Sequence, residues 1–220
     1  MRSTKRFRSK KDFVYDTLRE EILSGELQPG TRLIIDELSN ELGVSAIPVR
    51  EALQLLQSDG LVMIEPYIGA KVTELHQERI NEVFQLLDSL EVISSRTACQ
   101  RMTAKDFAEM EELLRQMDDN IQDVEQWSQN NLQLHLFICD RAGMSLTQEL
   151  FRRVGDHWNR LRRYYLKDVF THRIQAAQKQ HWQLLAALRT RNPDHVTQVI
   201  RDHNQSALQA YQTYLARKST

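Results

Sequence analysis

Along residues 11–24 apolar side chains recur at helical spacing, with Phe13, Val14, Leu18, Ile22 and Leu23 marking the inward face. Gly25 stops that helix and Pro29-Gly30 makes a turn. A short helix is predicted over about 35–42, with Leu38 and Leu42 inward and Gly43 ending it. Ser45 can cap a third helix, and Pro48 falls in its first turn, where a missing N–H does little harm. That helix runs through Val49, Ala52, Leu53, Leu55 and Leu56 to Asp59-Gly60. The period then changes. Leu61-Val62-Met63-Ile64 reads as a strand, residues 65–69 as a turn, and Ala70-Lys71-Val72 as a second short strand. Three helices followed by a hairpin describe a winged helix-turn-helix.

From His76 onward the pattern is helical almost throughout. Six helices are predicted, over about 76–102, 104–121, 123–142, 145–167, 170–190 and 193–217. The breaks fall at Met102-Thr103, near Asp123, at Ala142 to Ser145, around Val169-Phe170-Thr171, and at Asn192-Pro193. Apolar positions three and four apart, as in Val83, Phe84, Leu87, Leu90 and Ile93, demand a shared core, so this half is an all-α helical bundle. The chain is mainly α, with a basic tail over 1–10, the winged helix-turn-helix over 11–74 and the bundle over 75–220.

Seven glycines and four prolines in 220 residues agree with long helices. No apolar run is long enough to span a bilayer, and no signal-peptide segment follows the basic start, so no membrane partner and a cytoplasmic location are expected. Cys99 and Cys139 lie among apolar neighbours in helices and read as buried thiols. The formal net charge is -1. Residues 1–72 hold ten Lys/Arg against eleven Asp/Glu, so binding a polyanion would depend on where the charges lie. Arg2, Lys5, Arg6, Arg8, Lys10 and Lys11 precede the first acid, Asp12; they form either a solubilising tail or a segment that follows the DNA backbone or minor groove.

Leu38, Val44, Val49 and Leu53 can pack the two helices around Gly43, which frees the start of the second helix to enter a major groove. Ser45, Ala46, Ile47 and Arg50 lie at that end, and Gly69 and Lys71 belong to the wing. Arg50 can donate two hydrogen bonds to a guanine, or pair with Glu51 or Asp59 on the surface. Ser45 and the helix N-terminus suit a phosphate oxygen. In the bundle, Asn131 and His135 are four apart and share a face, while His181 and His203 occupy the fifth and sixth bundle helices. One inward polar group from each of three helices can cage a divalent metal such as zinc or nickel. Equally, each histidine can be a hydrogen-bonded core residue.

The segments Leu18 to Gly30, Leu38 to Gly43, Val44 to Leu53 and Asp59 to Val62 together resemble the GntR family of bacterial regulators over residues 11–73. Asn131-Leu-Gln-Leu-His135, His181 to Leu188 and Val199 to His203 are similar to the FCD domain of that family's FadR branch, and six helices match its shorter, VanR-like form. The resemblance implies a transcriptional regulator rather than an enzyme, with repression the family habit. It implies a homodimer on a double-stranded DNA operator with an inverted repeat, controlled by a small-molecule effector such as a carboxylate. It also implies Asn131, His135, His181 and His203 as metal ligands. Three departures stand out. Ala46 and Ile47 occupy positions where relatives commonly read DNA with arginine and threonine, and Ile68 replaces an arginine before the wing glycine. Asn131 stands where an aspartate is usual. Leu87 stands where relatives grip an acid with arginine, which leaves Arg160 or Arg163 for an acidic effector, unless these join Arg152, Arg153 and Arg162 on a solvated face. Trp158, Trp182 and Tyr164 are expected in the core.

Overall fold

Helix α1 (Lys10–Ser24) is fixed by its ends and by one face. Ser9 and Asp12 form a capping box, and Gly25 ends the helix at φ 82°. Val14, Leu18 and Ile22 are buried; Phe13, expected inward, is exposed because it lies ~100° round the helix from Val14. The computed structural model describes residues 9–65 and 68–218, so Arg2, Lys5, Arg6 and Arg8 of the basic tail lie outside the described residues.

After α1 come β1 (Arg32–Leu33), α2 (Ile35–Glu41), α3 (Ala46–Ser58), β2 (Val62–Glu65) and β3 (Gly69–Val72). The strands form an antiparallel sheet in the order β1-β3-β2, with Arg32 opposite Lys71 and Val62 opposite Val72. Strand β1 falls between the turn at Pro29-Gly30 and the helix from 35, in a stretch to which the sequence pattern assigns no element. Two residues are too few to show an alternating pattern. Leu33 turns into a core shared with Leu18, Leu38, Val49, Leu53, Leu61 and Val72, and Val44 packs half-buried on its edge.

The chain divides after His76. The second unit holds α4 (Arg79–Arg101), α5 (Ala104–Asp119), α6 (Val124–Ala142), α7 (Ser145–Tyr165), α8 (Lys167–Arg189) and α9 (Pro193–Lys218). Thr103 and Asp106 box the start of α5, Asp123 caps α6, and Gly143 ends it at φ 67°. The Asn192 side chain accepts from the N–H groups of Asp194 and His195 at the start of α9. Helix α4 lies against α6, α7 and α9, and α8 lies against α5 and α9. Only Leu166 separates α7 from α8, three residues earlier than the break expected at Val169. Cys99 and Cys139 are buried free thiols. Among the described residues no helix is long and apolar enough to cross a membrane.

Candidate functional site

Two places carry chemistry, one in each unit. At the start of α3, Ser45 takes the N-cap position with an exposed hydroxyl that makes no capping bond. Val49, Ala52, Leu53 and Leu56 bury one face of the helix, which turns Ile47, Arg50 and Glu51 outward. Ile47 is 69% exposed, an unusual place for a large apolar side chain, while Ala46 beside it is half-buried. Arg50 makes no ion pair with Glu51 or Asp59 among the described residues, and Asp59 accepts a 2.6 Å hydrogen bond from the Tyr15 hydroxyl. In the wing, Gly69 opens β3 at φ 108°, a conformation other residues rarely adopt. Lys71 pairs with Glu65 at 3.0 Å, and Ile68 is exposed. The four residues read from α3 thus share one helix end, and the two wing residues share one hairpin.

In the bundle, α6, α8 and α9 bring His135, His181 and His203 together, each offering a ring nitrogen within 4.8 Å of the others. Every Nδ1 is already engaged by a protein oxygen. His135 Nδ1 meets Glu91 Oε1 at 2.9 Å, His181 Nδ1 meets Gln178 Oε1 at 3.4 Å, and His203 Nδ1 meets Gln180 Oε1 at 3.0 Å. The amide orientations are themselves fixed. Gln178 donates its NH2 to the Leu114 carbonyl and Asp118, and Gln180 accepts at Oε1 from Arg173. Each Nδ1 is therefore the donor, and Nε2 carries the lone pair. The Nε2 of His181 is buried without a partner among the described residues. Trp127 stacks on the His181 ring at 5.7 Å and holds its plane.

Burial drives the His181 pKa well below its ordinary value, helped by His203 and His135 nearby, and burial with His135 takes His203 down to about 3. Both rings stay neutral, the form that binds a metal. Burial alone would raise Glu91, but His135 and an Asn204 hydrogen bond of 2.8 Å hold its carboxyl below the usual range. Imidazoles whose Nδ1 is held by an oxygen acceptor, which leaves Nε2 to face a metal, are the donor set of a histidine metal site. The fit is not yet tight: two nitrogens on one zinc stand at most about 4.2 Å apart, so the trio must draw in on binding.

His135 and His203 also line a cavity of about 60 Å³, together with Asn131 one turn before His135. Its walls are otherwise largely apolar, from Phe84, Leu87, Phe151 and Phe170, with Trp158 and Tyr211 beside them. Arg160 and Arg163 are not in that wall. Arg160 lies buried near Asp156, and Arg163 contacts Glu125. The arginine of the cavity is Arg173 on α8. The sequence pattern does not single it out, nor Glu91, although Arg173, Ala177 and His181 stand four apart on one helix face. Trp158 lines the cavity, Trp182 is half-buried with its indole on Asp118, and Tyr164, expected in the core, is exposed at the end of α7.

Comparison with known proteins falls on the same two regions. Residues 10–72 match the model of bacterial regulatory proteins of the gntR family, and residues 82–206 match the FCD domain. The HTH-type transcriptional regulator McbR of Escherichia coli is 28% identical over 183 residues, spanning 82% of this chain and 83% of McbR. The HTH-type transcriptional repressor RspR of Escherichia coli is 24% identical over 194 residues, spanning 87% and 84% of the two chains. The solved structure of E. coli McbR/YncC superposes with a TM-score of 0.78 at 26% identity, covering 94% of this chain and 99% of that one.

Proposed function

The chain belongs to the GntR family of bacterial regulatory proteins, which are DNA-binding transcriptional regulators, and from that premise we propose a metal-assisted, effector-controlled repressor. It acts as a homodimer on an inverted repeat and is switched by a small carboxylate. The start of α3 carries this reading: Ser45, Ala46, Ile47 and Arg50 lie together at one helix end, with Arg50 unpaired among the described residues. Ala46 and Ile47 suit thymine methyl groups, Arg50 suits a guanine, and Ser45, Gly69 and Lys71 suit the backbone. Repression is the sign named for RspR. An Arg50→Ala chain should lose ~1–3 kcal/mol of discrimination between its operator and unrelated duplex. Fluorescence anisotropy at fixed salt measures it. An equal loss on both duplexes would reduce Arg50 to a phosphate contact.

The two-fold symmetry rests on a second observation. Leu86 and Ile93 of α4 and Leu146 and Leu150 of α7 are exposed on neighbouring helices, an apolar face that a second bundle can cover. For the metal, His135, His181 and His203 are the ligands, with Asn131 lining the cavity that His135 and His203 border. Bound there, zinc or nickel supplies a Lewis-acid seat for a carboxylate oxygen. Glu91 orients His135 and adds negative charge behind it. A Glu91→Gln chain should bind zinc about 10–100-fold more weakly, read by competition with a chromophoric chelator. Unchanged affinity would remove Glu91 from the site. Operator release then requires that the effector favour one disposition of the DNA-binding halves over another.

A further inference from the structure

Arg173 is the odd charge of the bundle. It is 9% exposed and borders the cavity, yet its partners among the described residues are Gln180, Ser206, the His203 carbonyl and the Tyr211 hydroxyl, none of them an acid. Buried cations are ordinarily paired, because an uncompensated one costs several kcal/mol. Across the same cavity wall stands one carboxylate, Glu91, already held by His135 and Asn204. Imidazoles that ligate a metal do so as neutral rings, so Glu91 and Arg173 are the two charges that remain, and they balance. A divalent ion at the histidines leaves the enclosure with two positive charges in excess, and Asn131 contributes none of the negative charge an aspartate would bring. The indole N–H of Trp127, 1% exposed and also lining the cavity, is a further donor without a partner.

We infer that Arg173 and Trp127 form an anion seat beside the histidine trio, and that the ligand completing it is an apolar monocarboxylate of two or three carbons. Size sets the upper limit. A cavity of about 150 Å³ admits benzene, and this one is about 60 Å³. The walls of Phe84, Leu87, Phe151 and Phe170 offer nothing to a second carboxylate or a run of hydroxyls, so di- and tricarboxylates are excluded on charge as well as bulk. The ion and the acid each remove the electrostatic obstacle to the other, so they bind with positive coupling. This inference rests on the metal reading of the trio and adds to it the residue that grips the acid and the acid's size.

Zinc binding to the full chain, followed by chelator competition in chloride buffer and then with acetate, propionate, benzoate or citrate, tests it. Acetate and propionate should tighten zinc by roughly tenfold or more, and zinc should tighten either acid by the same factor. Benzoate and citrate, corrected for their own zinc binding, should not. In an Arg173→Gln chain zinc alone should bind as tightly or more tightly, since a neighbouring cation is gone, while the acids no longer help. Arg173→Lys, which keeps the charge, should retain part of the effect and guards against a folding defect in the first variant. Zinc uptake with no acid dependence overturns the anion seat and leaves the metal reading standing. Tightening that survives Arg173→Gln, or that benzoate shares, overturns the assignment of residue or size. No zinc uptake under any condition overturns the metal reading and this inference with it.

Discussion

A chain carrying His181→Ala is expected to bind zinc on the order of a hundredfold or more weakly, so that it is at most about half occupied where zinc stands a hundredfold above the dissociation constant of the unaltered protein. His181 is fully buried, its Nδ1 is fixed by Gln178, its ring is stacked on Trp127, and its Nε2 has no protein partner. It gains its missing contact only from something placed among the three histidines. The loss should be read as a thermal shift as well as by direct metal analysis. Zinc at a hundred times its dissociation constant stabilises a folded chain by about 2.7 kcal/mol, whereas the variant at that concentration should show almost none. The comparison is between metal-loaded and metal-free samples of the same variant, so any stability lost by opening space beside Trp127 cancels. A full metal-induced shift in His181→Ala would assign the three buried imidazoles to the core alone.

The second large effect is structural. Leu53→Ala should destabilise the DNA-binding unit by about 2–5 kcal/mol, as truncation of a fully buried leucine does where the site cannot collapse. Leu53 is 2% exposed in a single small core with Val14, Leu18, Leu38, Leu56 and Leu61. A unit of this length has only a few kcal/mol to lose, on the order of 0.1 kcal/mol per residue, so most of its stability goes. DNA affinity should fall with it while zinc uptake by the bundle persists. Denaturant unfolding followed by hydrogen exchange in each unit separates the two. Equal loss in both units would mean that they unfold as one body.

Much of this could be read from the sequence where a residue has one strong local preference. Gly25, Gly43 and Gly143 end helices at positive φ, Asn192 and Asp123 cap them, and the apolar stripe of α3 points to its buried face. The junction after α7 was misplaced because no glycine or proline marks it; Leu166 alone interrupts two otherwise good helices. His135, His181 and His203 were legible as a set because each falls on an inward face. Arg173 was not, because a lone arginine among apolar residues reads as a surface cation until its burial is known. The same holds for Glu91, whose neighbours in sequence say nothing of the imidazole 44 residues further on.

The central claim is that this chain reads DNA as a symmetric dimer through α3. Selection from a random-sequence duplex library by the zinc-loaded full chain tests it most directly. Enrichment of an inverted repeat, with half-sites centred about 10 base pairs apart and weakened in parallel by Arg50→Ala, is the predicted result. Recovery of duplexes with no common motif, or of a motif lacking two-fold symmetry, would contradict it.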